Sequence, residues 1–276
     1  MEFRISDRLA YVASLVRKGN IVADIGTDHG YLPIYLIKQN ITQHVIGMDL
    51  RKGPLQKATD NIRGFHVQNE VTLRLSDGLE QLAPQEADTV TICGMGGKLI
   101  QSILLRGRDK LTAQTQLLLS PQSELEEFRR FLQEYGIEIR HEHMLSEDGQ
   151  FYVIMECYWT GIAGKDTDNI VSAQNLENTH MAEACDNNVK NITNDSHKVQ
   201  CTDNDDISEE TFFKYGEYLL VHKNECLRDY LLHEKKVNES VTKTVQALQL
   251  NEGIARRLAQ LEQEHKCIVY ALSFYE

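Results

Sequence analysis

The sequence predicts an α/β fold: a mainly parallel sheet with one reversed strand, followed by a C-terminal helical or coiled-coil appendage. Three observations predict it. Short apolar runs beginning at Ile21, Val45, Val71, Thr89 and Gln116 alternate with glycine- or acid-containing turns and with segments of helical period. Two further strand-like runs, 137–145 and 151–158, flank Glu147-Asp148-Gly149, a hairpin signal that turns one strand against the rest. Beyond residue 211, apolar positions such as Val241, Val245, Leu248, Ile254, Leu258 and Leu261 recur at threes and fours.

The stretch Asn20–Leu32, NIVADIGTDHGYL, organises the chain. An apolar strand ends at Asp24, turns through Gly26 and Gly30, and opens a helix at Tyr31. Such a turn brings main chain close to a ligand and presents the free N–H groups of a helix start. The spacing Asp24-x-Gly26-x-Asp28-x-Gly30 overlaps the dinucleotide fingerprint only in part, because Asp28 stands where a phosphate-binding loop has its second glycine. A carboxylate there repels phosphate and suits a cation. That favours S-adenosylmethionine, with its sulfonium and amino group, over NAD.

The remaining elements follow in order. Residues 5–18 place Leu9, Val12, Leu15 and Val16 on one helical face behind a Ser6-Asp7 cap, and the helix is expected to pack on the first strand. The strand 45–50 ends in Asp49, positioned as a ribose ligand, and a helix is expected over 52–64, with Pro54 near its start. Strand 71–75 leads to Asp77-Gly78, where a carboxylate suits an exocyclic amine and where Asp-Gly is equally ordinary turn chemistry. Strand 89–97 ends in the glycine corner Gly94-Met95-Gly96-Gly97, with a helix to Leu105 after it, and Cys93 reads as a buried strand residue. A fifth strand stops at Pro121, and a helix over 123–133 turns Leu125, Phe128, Phe131 and Leu132 inward. The result is five strand-helix units closed by a hairpin.

The domain expectation is a ligand-binding domain over 1–160, an acidic flexible linker over 161–210 and a helical domain over 211–276. The linker is rich in Asn, Asp, Thr and Ser, with a short helix expected over 175–184. The helical part reads as segments over 226–236, 237–250 and 254–266, with Asn251-Glu252-Gly253 between the last two. The formal charge of −12 is uneven, because 161–210 carries three basic residues against eleven acidic ones, whereas 211–276 carries nine of each. The overall sign therefore does not exclude a nucleic-acid partner. Six scattered cysteines, with no CxxC and no zinc spacing, indicate neither disulfides nor a metal site. No secretory or membrane-spanning segment is read, so the cytoplasm is the expected compartment. Monomer and weak dimer stay open.

ADIGTDHGYLP (23–33), GMDLRKGP (47–54), SDGLE (76–80), ICGMGGKLI (92–100) and the EDG turn (147–149) together resemble the bacterial tRNA methyltransferase family that modifies N1 of adenine 22. The resemblance covers residues 5–160 well and 211–276 more loosely. It implies a Rossmann-like class I methyltransferase domain with a coiled-coil domain behind it, S-adenosylmethionine as cofactor and tRNA as partner. By resemblance, Asp24, Gly26, Asp28, His29 and Gly30 line the methionine end of the cofactor. Asp49 and Leu50 hold the ribose, Asp77 and Gly78 the adenine edge, and Cys93, Gly94 and Gly96 the wall towards the target base. The chain departs from relatives in having Ser120-Pro121-Gln122-Ser123 where they often carry Gln-Pro-Asn, and Asp49 where many have Glu.

The chemistry agrees with a ring nitrogen as target. Methylating an exocyclic amine calls for a proton-accepting side chain beside the base, and the glycine corner offers none. Adenine N1 has an in-plane lone pair and no proton, so positioning alone supplies much of the rate. Asp28 is a candidate for stabilising the cationic product. Tyr31 and Met95 are candidates for stacking on a flipped base, although Tyr31 serves equally as core. Arg51, Lys52 and Lys57, with Arg106, Arg108 and Lys110, are candidate phosphate contacts. Competing readings keep the cofactor with another RNA or a small molecule as substrate, or make the chain a non-catalytic scaffold with a partner-binding arm.

Overall fold

The computed structural model describes residues 4–160, 203–249 and 251–276, with the side chains of 203–206 left aside. Seven strands form one sheet in the order β3-β2-β1-β4-β5-β7-β6. They are β1 Val22–Ile25, β2 Val45–Asp49, β3 Val71–Leu75, β4 Thr89–Met95, β5 Gln116–Pro121, β6 Ile137–Glu147 and β7 Gln150–Trp159. β1 to β5 pair in parallel and β7 runs antiparallel between β5 and β6, so one strand is reversed as expected. The chain reverses direction across the sheet between β1 and β4, and such a switch opens a crevice at the strands' carboxyl ends. At the hairpin tip Asp148 and Gly149 both have positive φ, 51° and 76°, the conformation that a two-residue hairpin turn of matching twist requires.

The helices that flank the sheet are α1 Asp7–Leu15, α2 Tyr31–Lys38, α3 Lys52–Gly64, α4 Gly97–Arg106 and α5 Leu125–Glu134. One face buries Ile46, Ile92, Leu119 and Phe128, and the other Val12, Ile34, Leu118 and Ile154. The central strands are buried on both sides, which is why they read as continuous apolar runs and not as alternations.

Several expectations change in detail. α1 is capped by the Ser6 hydroxyl as expected, but it lies chiefly against α2 and the β6–β7 hairpin, sharing its core with Val22 of β1. No helix separates β3 from β4, where Ser76 to Leu82 form turns, so there are four strand-helix units and not five. Ser123 and Glu124 belong to a loop, with Glu124 at φ 59° just before α5. The expected helix over 175–184 lies outside the described residues.

The C-terminal part comprises α6 Asp203–Tyr215, α7 Glu217–Val221, α8 Glu225–Gln246 and α9 Glu252–Ser273. Helix therefore begins eight residues before 211, and the segments 226–236 and 237–250 merge into the single helix α8. α8 and α9 form the expected antiparallel hairpin, each capped by an asparagine, Asn224 and Asn251. A feature that periodicity hides joins α6 to the sheet. Arg129, 4% exposed on α5, donates to Glu142 of β6 at 2.7 and 2.9 Å and to the carbonyls of Phe213 and Lys214 at 2.7 and 2.9 Å. Gly216, at φ 90°, passes so close that a Cβ there would strike the Glu142 carboxylate. Burial pushes the Glu142 carboxyl up, and Arg129 opposes that shift.

Arg129→Met would strand a buried carboxylate and two carbonyls. We expect a loss of about 3–5 kcal/mol in urea-induced unfolding, the usual cost of breaking one side of a buried pair. A loss below about 1 kcal/mol would mean that the pair does not hold the two parts together.

Candidate active site

The β1–α2 turn is fastened to its neighbour strand. The N–H groups of Gly26 and Thr27 both donate to the carbonyl of Met48, at 2.8 and 2.9 Å. Gly26 has φ 75°, and a Cβ there would overlap the methyl of Met95 from the glycine corner. Asp28 follows at φ 50° and Gly30 at φ 74°, so the chain leaves the strand in a tight curl. Gly30 is the N-cap of α2 and provides no side chain to cap it, which leaves the helix's first N–H groups for other partners.

Three acids close three successive strand ends. Asp24 is 5% exposed and accepts from the Thr91 hydroxyl at 2.7 Å. Burial raises its pKa, the hydroxyls of Thr91 and Thr27 oppose this, and Asp49 adds to it. Asp49 is 6% exposed, and its two oxygens accept the N–H of Arg51 at 2.9 Å and of Asp28 at 3.3 Å. One carboxylate thus braces both the β1–α2 and the β2–α3 loop while each oxygen keeps a lone pair. Asp77 accepts from the Arg106 guanidinium at 2.7 and 3.1 Å, and that pairing lowers its pKa.

These groups face one cleft of about 540 Å³ at the sheet's carboxyl edge. Among the residues singled out from the sequence, Asp24, Gly26, Asp28, His29 and Tyr31 line it from the first turn. Asp49, Leu50, Arg51, Asp77 and Gly78 do so from β2 and β3, and Cys93, Gly94 and Met95 from β4. Gly30 and Gly96 cap α2 and α4 and do not line it. Burial pushes the Cys93 thiol up to about 12, so it is uncharged at neutral pH. Tyr31, Leu50 and Leu99 are 44%, 63% and 48% exposed and form an apolar rim.

The candidate phosphate contacts separate into three kinds. Arg51 is exposed and lines the cleft, and Lys52 and Lys57 are exposed on α3. Arg106 is committed to Asp77 and Glu80. Arg108 and Lys110 follow α4 at the opposite, amino edge of the sheet, where the Arg108 guanidinium lies 4.1 Å over the Trp159 ring and Lys110 pairs with Asp109 at 3.0 Å. They are therefore far from the cleft. A larger cavity, about 690 Å³, lies between α5–β6 and α6–α7, but its buried charges, Arg129 and Glu142, already satisfy each other. Among the described residues no cluster of His, Cys, Asp and Glu is arranged to hold a metal, and no helix is long and apolar enough to cross a membrane.

Residues 5–155 match the methyltransferase domain family. The chain belongs to that family. A Bacillus subtilis tRNA (adenine(22)-N(1))-methyltransferase is 36% identical over 154 residues, 56% of this chain and 65% of the relative's own length. A Mycoplasma pneumoniae protein assigned to the tRNA methyltransferases is 31% identical over 54% of this chain and 68% of its own. A Streptococcus pneumoniae structure assigned as a tRNA (m1A22) methyltransferase, in complex with S-adenosyl-L-methionine, is 25% identical with a TM-score of 0.70, and the match covers 98% of this chain and 100% of that one. The resemblance seen in the sequence motifs is borne out, and it extends in three dimensions through the helical hairpin.

The methyltransferase cleft also contains residues that were not among the candidate site residues. Arg8 of α1 and Gln122 after β5 flank Gly94, and Ser76, Leu99 and Ile103 complete the wall. Arg8 had no signal because it lies on a helix read as a packing element. Gln122 was visible only as a departure from the pattern of relatives.

Gly26→Ala would impose a left-handed conformation on alanine and push Met95 aside. We expect about 1–2 kcal/mol lower stability and weaker ligand binding in the cleft, measured by thermal melting and calorimetry. An unchanged melting temperature would show that the turn tolerates a side chain.

Proposed function

We propose that this protein transfers a methyl group from S-adenosyl-L-methionine to N1 of an adenine in tRNA, the adenine at position 22. The observation that carries the reading is a cleft with fixed acids at three strand ends and a glycine corner without any proton-accepting side chain.

The cleft fits the cofactor by its own chemistry. Asp24 is almost fully buried with one oxygen committed to Thr91, which suits an ammonium group. Asp49 keeps lone pairs for ribose hydroxyls, and Asp77, held by Arg106, keeps them for an exocyclic amine. The missing Cβ of Gly26 lets main chain and the Met95 methyl approach what lies between. When bound, S-adenosyl-L-methionine supplies a sulfonium methyl open to in-line displacement.

The chain's residues then act by holding and orienting. A target adenine must leave its stack to present N1, and the exposed Tyr31, 5.6 Å from the His29 ring centroid in a stacked pair, offers it a flat surface. Adenine N1 brings no proton to remove, so the site needs no base. The cationic product gains from Asp28, whose side chain is 56% exposed at the cleft and lies 3.5 Å from His29. Arg51, Lys52 and Lys57 are available to RNA phosphates near the cleft, and binding through them weakens as salt rises. The helical hairpin, which packs against the Arg129-anchored α6, extends the surface that a folded RNA can meet.

The deciding experiment is transfer from labelled S-adenosyl-L-methionine to tRNA from cells lacking this modification, followed by nucleoside analysis. We expect 1-methyladenosine at position 22. Formation of 6-methyladenosine, or cofactor binding without transfer to tRNA, would overturn the assignment. Asp28→Asn is expected to slow single-turnover transfer at saturating cofactor by about tenfold to a hundredfold, roughly 1.4–2.7 kcal/mol of barrier. An unchanged rate would remove Asp28 from the chemistry.

A further inference from the structure

Reading the edge of a base requires a donor and an acceptor side by side, and Gln122 is the one carboxamide among the described residues that line the cleft. The other polar side chains there are one-sided or already occupied. Ionised aspartates only accept, and arginines only donate. The Ser76 hydroxyl donates to the Gly78 carbonyl and accepts the Gln81 N–H, Thr27 is buried beside Asp24, and His29 lies 3.5 Å from Asp28. The carboxamide of Gln122 is exposed and has no partner among the described residues.

The side chain is unspent, but its backbone is fixed. β4 and β5 shift register between Cys93 and Met95, and such a bulge re-aims the strand end. The Gln122 N–H donates to the Met95 carbonyl at 2.9 Å, and the Gly97 N–H donates to the Ser123 carbonyl at 3.2 Å. The loop that carries Gln122 is thus tied twice to the glycine corner. A Cβ on Gly94, at φ 78°, would lie 3.8 Å from Gln122 Nε2, so the amide lies beside bare main chain and not behind another side chain.

With N1 turned to the reacting methyl group, the edge of adenine left for recognition is N6 and N7. A carboxamide meets that edge with two hydrogen bonds, N6–H donating to Oε1 and the Nε2 amide donating to N7. Guanine presents O6 and N7 there, both acceptors, so one of them would face Oε1 with no hydrogen between them. Pairing through N6 and N7 also leaves the N1 lone pair free, whereas pairing through N6 and N1 would block the reaction. We propose, resting on the function given above, that Gln122 selects adenine by its N6 and N7 edge and so determines which ring nitrogen meets the methyl group. Gln122 then acts on the substrate and not on the cofactor.

Steady-state methyl transfer tests it with two tRNAs, one carrying adenine and the other 7-deazaadenine at the methylated position, the second lacking the N7 acceptor. Gln122→Leu is expected to lower kcat/KM on the adenine tRNA by about tenfold to a hundredfold, with S-adenosylhomocysteine affinity and the melting profile unchanged. The ratio of kcat/KM between adenine and 7-deazaadenine tRNA is expected to fall by about fivefold or more from wild type to variant, because the variant's ratio carries only the intrinsic reactivity of the two bases. Gln122→Asn keeps the carboxamide and should retain part of the wild-type ratio. Equal ratios in wild type and Gln122→Leu would make the loss structural and overturn the proposal, as would an unchanged kcat/KM on the adenine tRNA. A matching loss of S-adenosylhomocysteine affinity would assign Gln122 to the cofactor and overturn it as well. If the wild-type protein methylated neither tRNA, the proposed function would fail and this assignment with it, an outcome distinct from the failure of Gln122 alone.

Discussion

The site depends on keeping two carboxylates, Asp24 and Asp49, nearly dry at the ends of adjacent strands. Burial raises the cost of ionising Asp24, and the neighbouring Asp49 adds to it. Each acid is therefore surrounded by donors: a threonine hydroxyl for Asp24, and two backbone N–H groups from separate loops for Asp49. Those donors fix the loops, and the loops fix the cleft. Both carboxylates line the cleft. The same burial that makes the acids expensive makes them selective.

The third acid is balanced differently. Asp77 meets a guanidinium directly, and Arg106 reaches it from the last turn of α4. Arg106 thus joins the β4–α4 unit to the β3 end and is not available to RNA phosphates. A similar logic operates 13 residues apart in sequence between Arg129 and Glu142, where the buried pair also satisfies the end of α6. In both places one arginine does two jobs, neutralising an acid and joining elements that are distant in the chain.

Legibility from the sequence followed the range of the interactions. The bounds of β2, α3 and β3 were readable almost to the residue, because apolar runs, Pro54 and the Asp-Gly turn are local signals. Asp24, Asp49 and Asp77 were readable because a strand's end fixes where its last acid points. The β3–β4 connection and the start of α6 were less readable, since short turns and a polar helix carry weak periodicity.

By itself the sequence determined the strand order's raw material, the acids at three strand ends, the glycines that admit a ligand and the family these motifs belong to. All of these depend on spacing along the chain, which a linear string preserves. Only the tertiary structure decided the use of the arginines. Arg106 turned from a candidate RNA contact into the partner of Asp77, Arg108 and Lys110 went to the far edge, Arg129 became a buried anchor, and Arg8 entered the cleft. A guanidinium sits at the end of a long flexible stem, so its partner is set by what the fold brings within reach and not by its neighbours in sequence.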